Sequence, residues 1–155
     1  IKEKNIFTVV VNKNNQLLVE EELVDISDLR ALASEFLDNG GGEGEDACEF
    51  CQGARDPKSS DNPEKAIISL KNDRETSYKV YIAVQNELVA AYNVLRDREF
   101  MRLFPNESMT FVEANKKYSD PRTSPEEKER LKPKLAEVKL LFPQKLSEAE
   151  PSKTN

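Results

Sequence analysis

The stretch Ala66 to Phe104, AIISLKNDRETSYKVYIAVQNELVAAYNVLRDREFMRLF, decides the fold. It opens on Ile67-Ile68-Ser69-Leu70, a β-branched run of the kind that forms a buried strand. A polar turn follows at Asn72-Asp73-Arg74-Glu75. Then comes the longest helical pattern in the chain. Tyr81, Val84, Leu88, Ala91 and Leu95 recur at steps of three and four, so they share one face. Tyr78, Ile82, Val89 and Tyr92 form a second row and widen that face. A wide apolar helix face next to a strand predicts a helix packed on a sheet. Thr76 or Ser77 is placed to cap the helix. From Ser77 to Phe100 it would run about 36 Å at 1.5 Å per residue, further than a small sheet extends. Its end, Arg96-Asp97-Arg98-Glu99, is therefore expected to project past the sheet.

Upstream, Ile6 to Val11 (IFTVVV) reads as a strand, Asn12-Lys13-Asn14-Asn15 as a turn and Gln16 to Glu20 as the returning strand of a hairpin. Glu20-Glu21-Glu22 ends it. Leu23 to Leu29 then reads as a helix entry, with Asp25 as N-cap and Val24 and Leu29 as a hydrophobic staple. Ile26, Leu29, Ala33, Phe36 and Leu37 give the helix one apolar face, and Asn39-Gly40 terminates it. Between this helix and the central strand, Gly40 to Pro63 is rich in glycine, proline, serine and acid. Such a segment reads as a long, largely mobile loop.

Downstream, Pro105-Asn106 breaks the long helix. Thr110-Phe111-Val112-Glu113 is a capping box and predicts a short helix to about Tyr118. Ser124-Pro125-Glu126-Glu127 is a stronger start. Leu131, Leu135, Val138 and Phe142 hold helical spacing across Pro133, as one kinked helix or two abutting ones. Lys145 to Ala149 is a weak closing strand. The architecture expected is α+β: a small β-sheet with helices packed on one face, plus an inserted helical segment. The insert should pack on the far end of the long helix, at Tyr92, Leu95 and Leu103. We read residues 1–150 as a single domain and 151–155 as a tail.

The 155 residues carry a net charge of −6, with 37% hydrophobic and 34% charged residues. An acidic surface argues against nucleic acid and against anionic lipid as partners. No apolar run approaches a membrane span, and no signal peptide opens the chain. The chain starts at Ile1, as expected for a segment of a longer protein. Histidine is absent, which excludes Ser-His-Asp and Cys-His catalysis and His-ligated metal.

Cys48-Glu49-Phe50-Cys51 is the one pattern with chemical potential. It reads as a local disulfide, as spare thiols, as half of a zinc site or as a redox dithiol. A structural zinc site needs four ligands, and no histidine is present to supply the rest. Glu43, Glu45, Asp46 and Glu49 would hold a thiol protonated, against redox work. The same acids lack the alternation of a calcium loop and read as a solvated linker. Tyr78, Tyr81 and Tyr92, at helical spacing, read as core or core edge rather than a binding platform. Asp73 and Glu75 precede a helix and read as cap or dipole partners. No catalytic constellation, cofactor site or metal site emerges.

The order of elements and several local signatures resemble the ExbD family and, more distantly, TolR. Ile6 to Val24 (IFTVVVNKNNQLLVEEELV) is similar to the family's opening hairpin. Asp25-Ile26-Ser27-Asp28-Leu29 is similar to its S-L-E-E-L helix start, with Asp25 in place of the capping serine. Ile67 to Tyr78 (IISLKNDRETSY) resembles its strand, Asp, short turn, Tyr, helix sequence, with Asp73 and Tyr78 at the matching positions. Gln144 to Ala149 would be the closing strand. The wording is nearest to Bacteroidetes-type members. The resemblance covers residues 6–39, 66–100 and 144–149. The Cys-containing loop 40–65 and the helical insert 101–143 lie outside it.

The resemblance implies a periplasmic domain of an inner-membrane protein with a single span. Such a subunit dimerises within a channel of ExbB-type subunits and couples the proton-motive force to TonB, which drives iron and nutrient uptake across the outer membrane. The family's proton-carrying carboxylate lies in the span, outside this chain. An oxidising periplasm fits a Cys48–Cys51 disulfide. The mechanism expected is edge-strand pairing with TonB or a sister copy. Ile6–Val11, presenting Phe7, Val9 and Val11, and the closing strand are the candidate edges. The alternatives are a TolR-like peptidoglycan-binding domain for envelope integrity, and a C-x-x-C thiol or metal module.

Overall fold

The structure, a computed structural model, describes residues 1–149. The expected tail at 151–155 lies outside the described residues. The described residues divide into two compact units, one of residues 1–91 with 145–149 and one of Tyr92–Gln144.

The first unit is an α+β sandwich. Its sheet has five strands in the order β3-β2-β1-β4-β5. These are β1 (Ile6–Val11), β2 (Leu17–Val19), β3 (Glu22–Val24), β4 (Ile67–Asn72) and β5 (Leu146–Glu148). β1 pairs antiparallel with β2 and parallel with β4, Val9 lying opposite Val19 on one side and Leu70 on the other. β5 joins β4 in parallel, Leu146 beside Ile68. Side chains alternate across a strand, so one face collects Phe7, Val9, Val11, Leu17, Val19, Ile68 and Leu70, all buried. On that face lie α1 (Leu29–Leu37) and the part of α2 (Tyr78–Leu103) up to Ala91. They contribute Leu29, Ala33, Phe36, Val84, Leu88 and Ala91 to the core. The Phe7 and Phe36 rings meet at 5.1 Å. Arg30 clamps Glu87 at 2.8 and 3.2 Å, tying α1 to α2.

The position of β1 corrects an expectation. It is the central strand, paired along both edges, and Phe7, Val9 and Val11 are buried. A strand whose backbone groups are already paired on both sides has nothing to offer a partner. The edges are β3 and β5.

β3 itself is a second correction, because Glu22–Val24 was expected to end a strand and open a helix. Val19 pairs with Glu22 across Glu20 and Glu21, whose φ values are 51° and 69°. Two left-handed residues make the mirror-image turn that suits the twist of a hairpin. The usual Asn-Gly signal is missing, so the turn is hidden in a run of acids. Glu20 is also tied to β1: its N–H donates to the Thr8 carbonyl at 3.0 Å, and its carboxylate accepts the Thr8 N–H at 3.1 Å. The side chain continues the ladder where the backbone has turned away. Asp25 then caps a single helical turn, accepting from the Ser27 N–H at 3.0 Å, before α1 begins.

The second unit contains the last turns of α2 with α3 (Phe111–Ser119) and α4 (Pro125–Leu141). Phe100, Phe111, Ala114, Leu131, Leu135 and Val138 form its core, with Leu103, Phe104, Met109 and Tyr118 packed around it. Thr110 and Glu113 make the reciprocal capping box, and Ser124 caps α4. α4 runs through Pro133 as one helix. Tyr92 and Leu95 are buried, while Leu103 is the predicted contact that packs on the insert's core.

Candidate functional site

The strongest site in the first unit is the β5 edge. β5 is three residues long, and among the described residues no strand flanks it on the side away from β4. The Ile68 N–H donates to the Lys145 carbonyl at 3.0 Å, and the Ala149 N–H donates to the Leu70 carbonyl at 3.1 Å. Hydrogen-bonding groups alternate sides along a strand, so the N–H and C=O of Leu146 and Glu148 point outward. The strand is also held from α2. Gln85 donates to the Glu148 carboxylate at 2.6 Å. Tyr81 lies near the same carboxylate, and its pKa is pushed up to about 12 by burial first, then by the influence of Glu148. The Lys145 ammonium donates to the Glu64 carbonyl. Tyr81, Gln85 and Glu148 were not singled out as a group in the sequence. Their one legible signal is that Tyr81 and Gln85 are four apart on one helix face.

Cys48 and Cys51 form a disulfide and are almost fully buried. The surrounding loop is not the loose segment expected. The Arg55 guanidinium donates to the carbonyls of Gly40 at 3.3 Å, Cys48 at 2.7 Å and Cys51 at 2.5 Å. Asn39, itself buried, donates to the carbonyls of Asp56 at 2.9 Å and Ser60 at 2.7 Å and accepts the Asp56 N–H at 3.0 Å. Gly41 and Gly42 pair with Ser60 and Asp61 at 2.9 and 3.0 Å. Asn5 and Asp61 exchange hydrogen bonds of 3.1 and 2.8 Å. Lys4 meets Asp61 at 2.7 Å and holds its carboxyl below the usual range against the opposing pull of burial. Polar composition suggested mobility, but Asn39 and Arg55 satisfy backbone groups across the loop, and Asp61 is held by Asn5 and Lys4.

The two signature residues have different fates. Asp73 is buried between β4 and α2 and accepts the Glu75 N–H at 2.8 Å. Thr76 braces the same turn, donating to Val11 and Asn12 carbonyls at 3.1 Å each. Tyr78 opens α2 but is 78% exposed, so the expectation of a core or core-edge ring fails for it. As the first helical residue, it lies ahead of the stretch that covers the sheet. Ser77 caps the helix, accepting from the Val80 N–H at 3.4 Å.

In the second unit Glu99 is fully buried between Arg98 at 3.0 Å and Arg102 at 2.5 Å. Glu107 is paired with Arg130 and Lys134, which hold its carboxyl below the usual range. Asp97 accepts the Val112 N–H at 3.0 Å, while burial raises its pKa. These contacts organise the helices. Among the described residues, no group of three or more cysteines and carboxylates is gathered as a metal site, and no helix is long and apolar enough to cross a membrane.

Compared with known protein families the chain matches none, and compared with curated proteins it again matches none.

Proposed function

We propose that the chain is the periplasmic coupling domain of an ExbD-type subunit, working by strand pairing at the β5 edge with a TonB-type partner. The observation that carries the reading is the closing strand. It lies parallel to β4 at the sheet edge, three residues long, with the backbone groups of Leu146 and Glu148 facing outward. An edge of this kind accepts an added strand through main-chain hydrogen bonds, and alternate side chains supply the selectivity. The element order adds support: an opening hairpin, a short helix, a strand ending at Asn72 just before Asp73, a long helix beginning at Tyr78 and a closing strand. In this reading the domain transmits force and performs no chemistry, so rigidity at its turns matters more than reactive groups. Asp73 and Thr76 lock the β4–α2 turn to the end of β1, which suits a part that is pulled on.

The test is co-purification of the full-length protein. Expressed with its genomic neighbours, an ExbD-type subunit is retained with an ExbB-type channel protein in mild detergent. Recovery as a free monomer, with a normal amide spectrum for this domain, would remove the motor reading.

A further inference from the structure

The first unit carries a groove of about 670 Å³ between the start of β1, the second half of α1 and the disulfide loop. Its base is apolar, lined by half-buried Leu32 and by the Phe7 and Phe36 rings, which meet at 5.1 Å and are almost fully buried. Its rim is acidic. Glu3, Glu20, Glu35 and Asp56 line it and are exposed, against Lys4 and Lys58. Lys4 is already engaged, 2.7 Å from the Asp61 carboxylate and 3.3 Å from the Pro57 carbonyl. The wall opposite α1 is built from Gly53 to Ser59. A side chain at Gly53 would place a Cβ 2.5 Å from the Asp38 carbonyl, so glycine is what lets this wall close against the end of α1. Asn39 and Arg55 then hold the wall in place, so the groove is preformed.

We propose that this groove docks a cationic, partly apolar extended segment of a partner protein. Aliphatic groups of the segment lie on the Phe36 and Leu32 floor, and its ammonium or guanidinium groups reach the carboxylates on the rim. A volume of this size accepts a few side chains, and the carboxylates on the rim attract the positive charges. The net charge of −6 favours approach of the same kind of segment. None of the groove's residues belongs to β5, so the proposal stands independently of the ExbD-type reading.

The test uses the whole chain, isotope-labelled, titrated with a capped decapeptide of alternating lysine and leucine at physiological salt. The expected result is amide shifts concentrated at Ile6, Phe36, Ala54 and Ser59. Glu35→Lys and Leu32→Asn should each weaken binding about tenfold. Glu129→Lys, on the exposed side of α4, should leave it unchanged. A deca-lysine peptide should bind about tenfold more weakly, because it lacks the apolar contacts. The amide spectrum of each variant verifies folding. Equal affinity for deca-lysine, no effect of Glu35→Lys, shifts centred elsewhere, or no binding at all would each overturn the proposal.

Discussion

Gln85 on α2 donates its amide to the Glu148 carboxylate on β5 across 2.6 Å, joining the long helix to the outermost strand. Because β5 is short and Ser147 and Glu148 are exposed, little apolar burial holds it. Its attachment therefore depends on polar contacts. Glu148→Ala is expected to speed hydrogen exchange at the Ala149 amide by about five- to tenfold, the equivalent of one charge-assisted hydrogen bond at a partly wet site. Amides in β1 should be unaffected, and native-state exchange measures both.

Tyr81 gives the same junction an alkaline limit. Its folded pKa of about 12 lies above the ordinary value of 10. A group raised in this way contributes stability below pH 10 and loses it as pH rises through its folded pKa. In an ultraviolet tyrosinate titration, Tyr81 should ionise above the ordinary tyrosine range. Tyr81→Phe should remove one tyrosine's worth of that late absorbance change and flatten the loss of stability between pH 10 and 12.

The disulfide closes a very short loop, for which the chain-entropy treatment gives about 2 kcal/mol. The double variant Cys48→Ser, Cys51→Ser should lose about that amount in urea unfolding. It should also lose exchange protection at Gly53 and Arg55, whose amides donate to the Asp38 and Asn39 carbonyls at 2.9 Å. Unchanged stability would mean that the hydrogen bonds of Arg55 and Asn39 hold the loop without the disulfide.

Glu99 separates charge from packing. Its side chain is fully buried, but those of Arg98 and Arg102 are 26% and 47% exposed. Glu99→Ala should cost about 2–3 kcal/mol, because it opens a cavity and removes the buried carboxylate that both arginines meet. Glu99→Leu should come within about 1 kcal/mol of the native chain, since an apolar side chain refills the space while the arginines turn to water. Denaturant melts of the two variants compare the terms.

The β2–β3 turn offers a gain. Glu21 is exposed with φ 69°, a conformation that costs a residue bearing a Cβ about 1 kcal/mol. Glu21→Gly should raise the unfolding midpoint accordingly.

Much of the frame was legible because helical spacing and capping chemistry are local. The run from Tyr81 to Leu95, the Thr110–Glu113 box and the Ser124-Pro125 start each specify their element without help from the rest of the chain. The order of strands in the sheet is not local. Ile6–Val11 reads identically whether it lies at an edge or in the centre, and only its pairing with β4 settles the matter. The β2–β3 turn was hidden because two glutamates adopt a conformation usually marked by glycine or asparagine. The disulfide loop was misread because polar residues that solvate a linker are the same ones that satisfy buried carbonyls. Asn39 and Arg55 do the latter, and nothing in their spacing announces it. The Glu148 junction joins residues more than sixty positions apart, beyond the reach of any periodicity.

The central claim is strand pairing at β5, and the most direct measurement is a titration of the isotope-labelled chain with a TonB-type periplasmic segment. The account predicts slowed exchange and downfield shifts at the Leu146 and Glu148 amides, which face outward, with the buried amides of β1 unmoved. Saturating partner that leaves Leu146 and Glu148 unchanged, or that perturbs β3 at Glu22–Val24 instead, would contradict it.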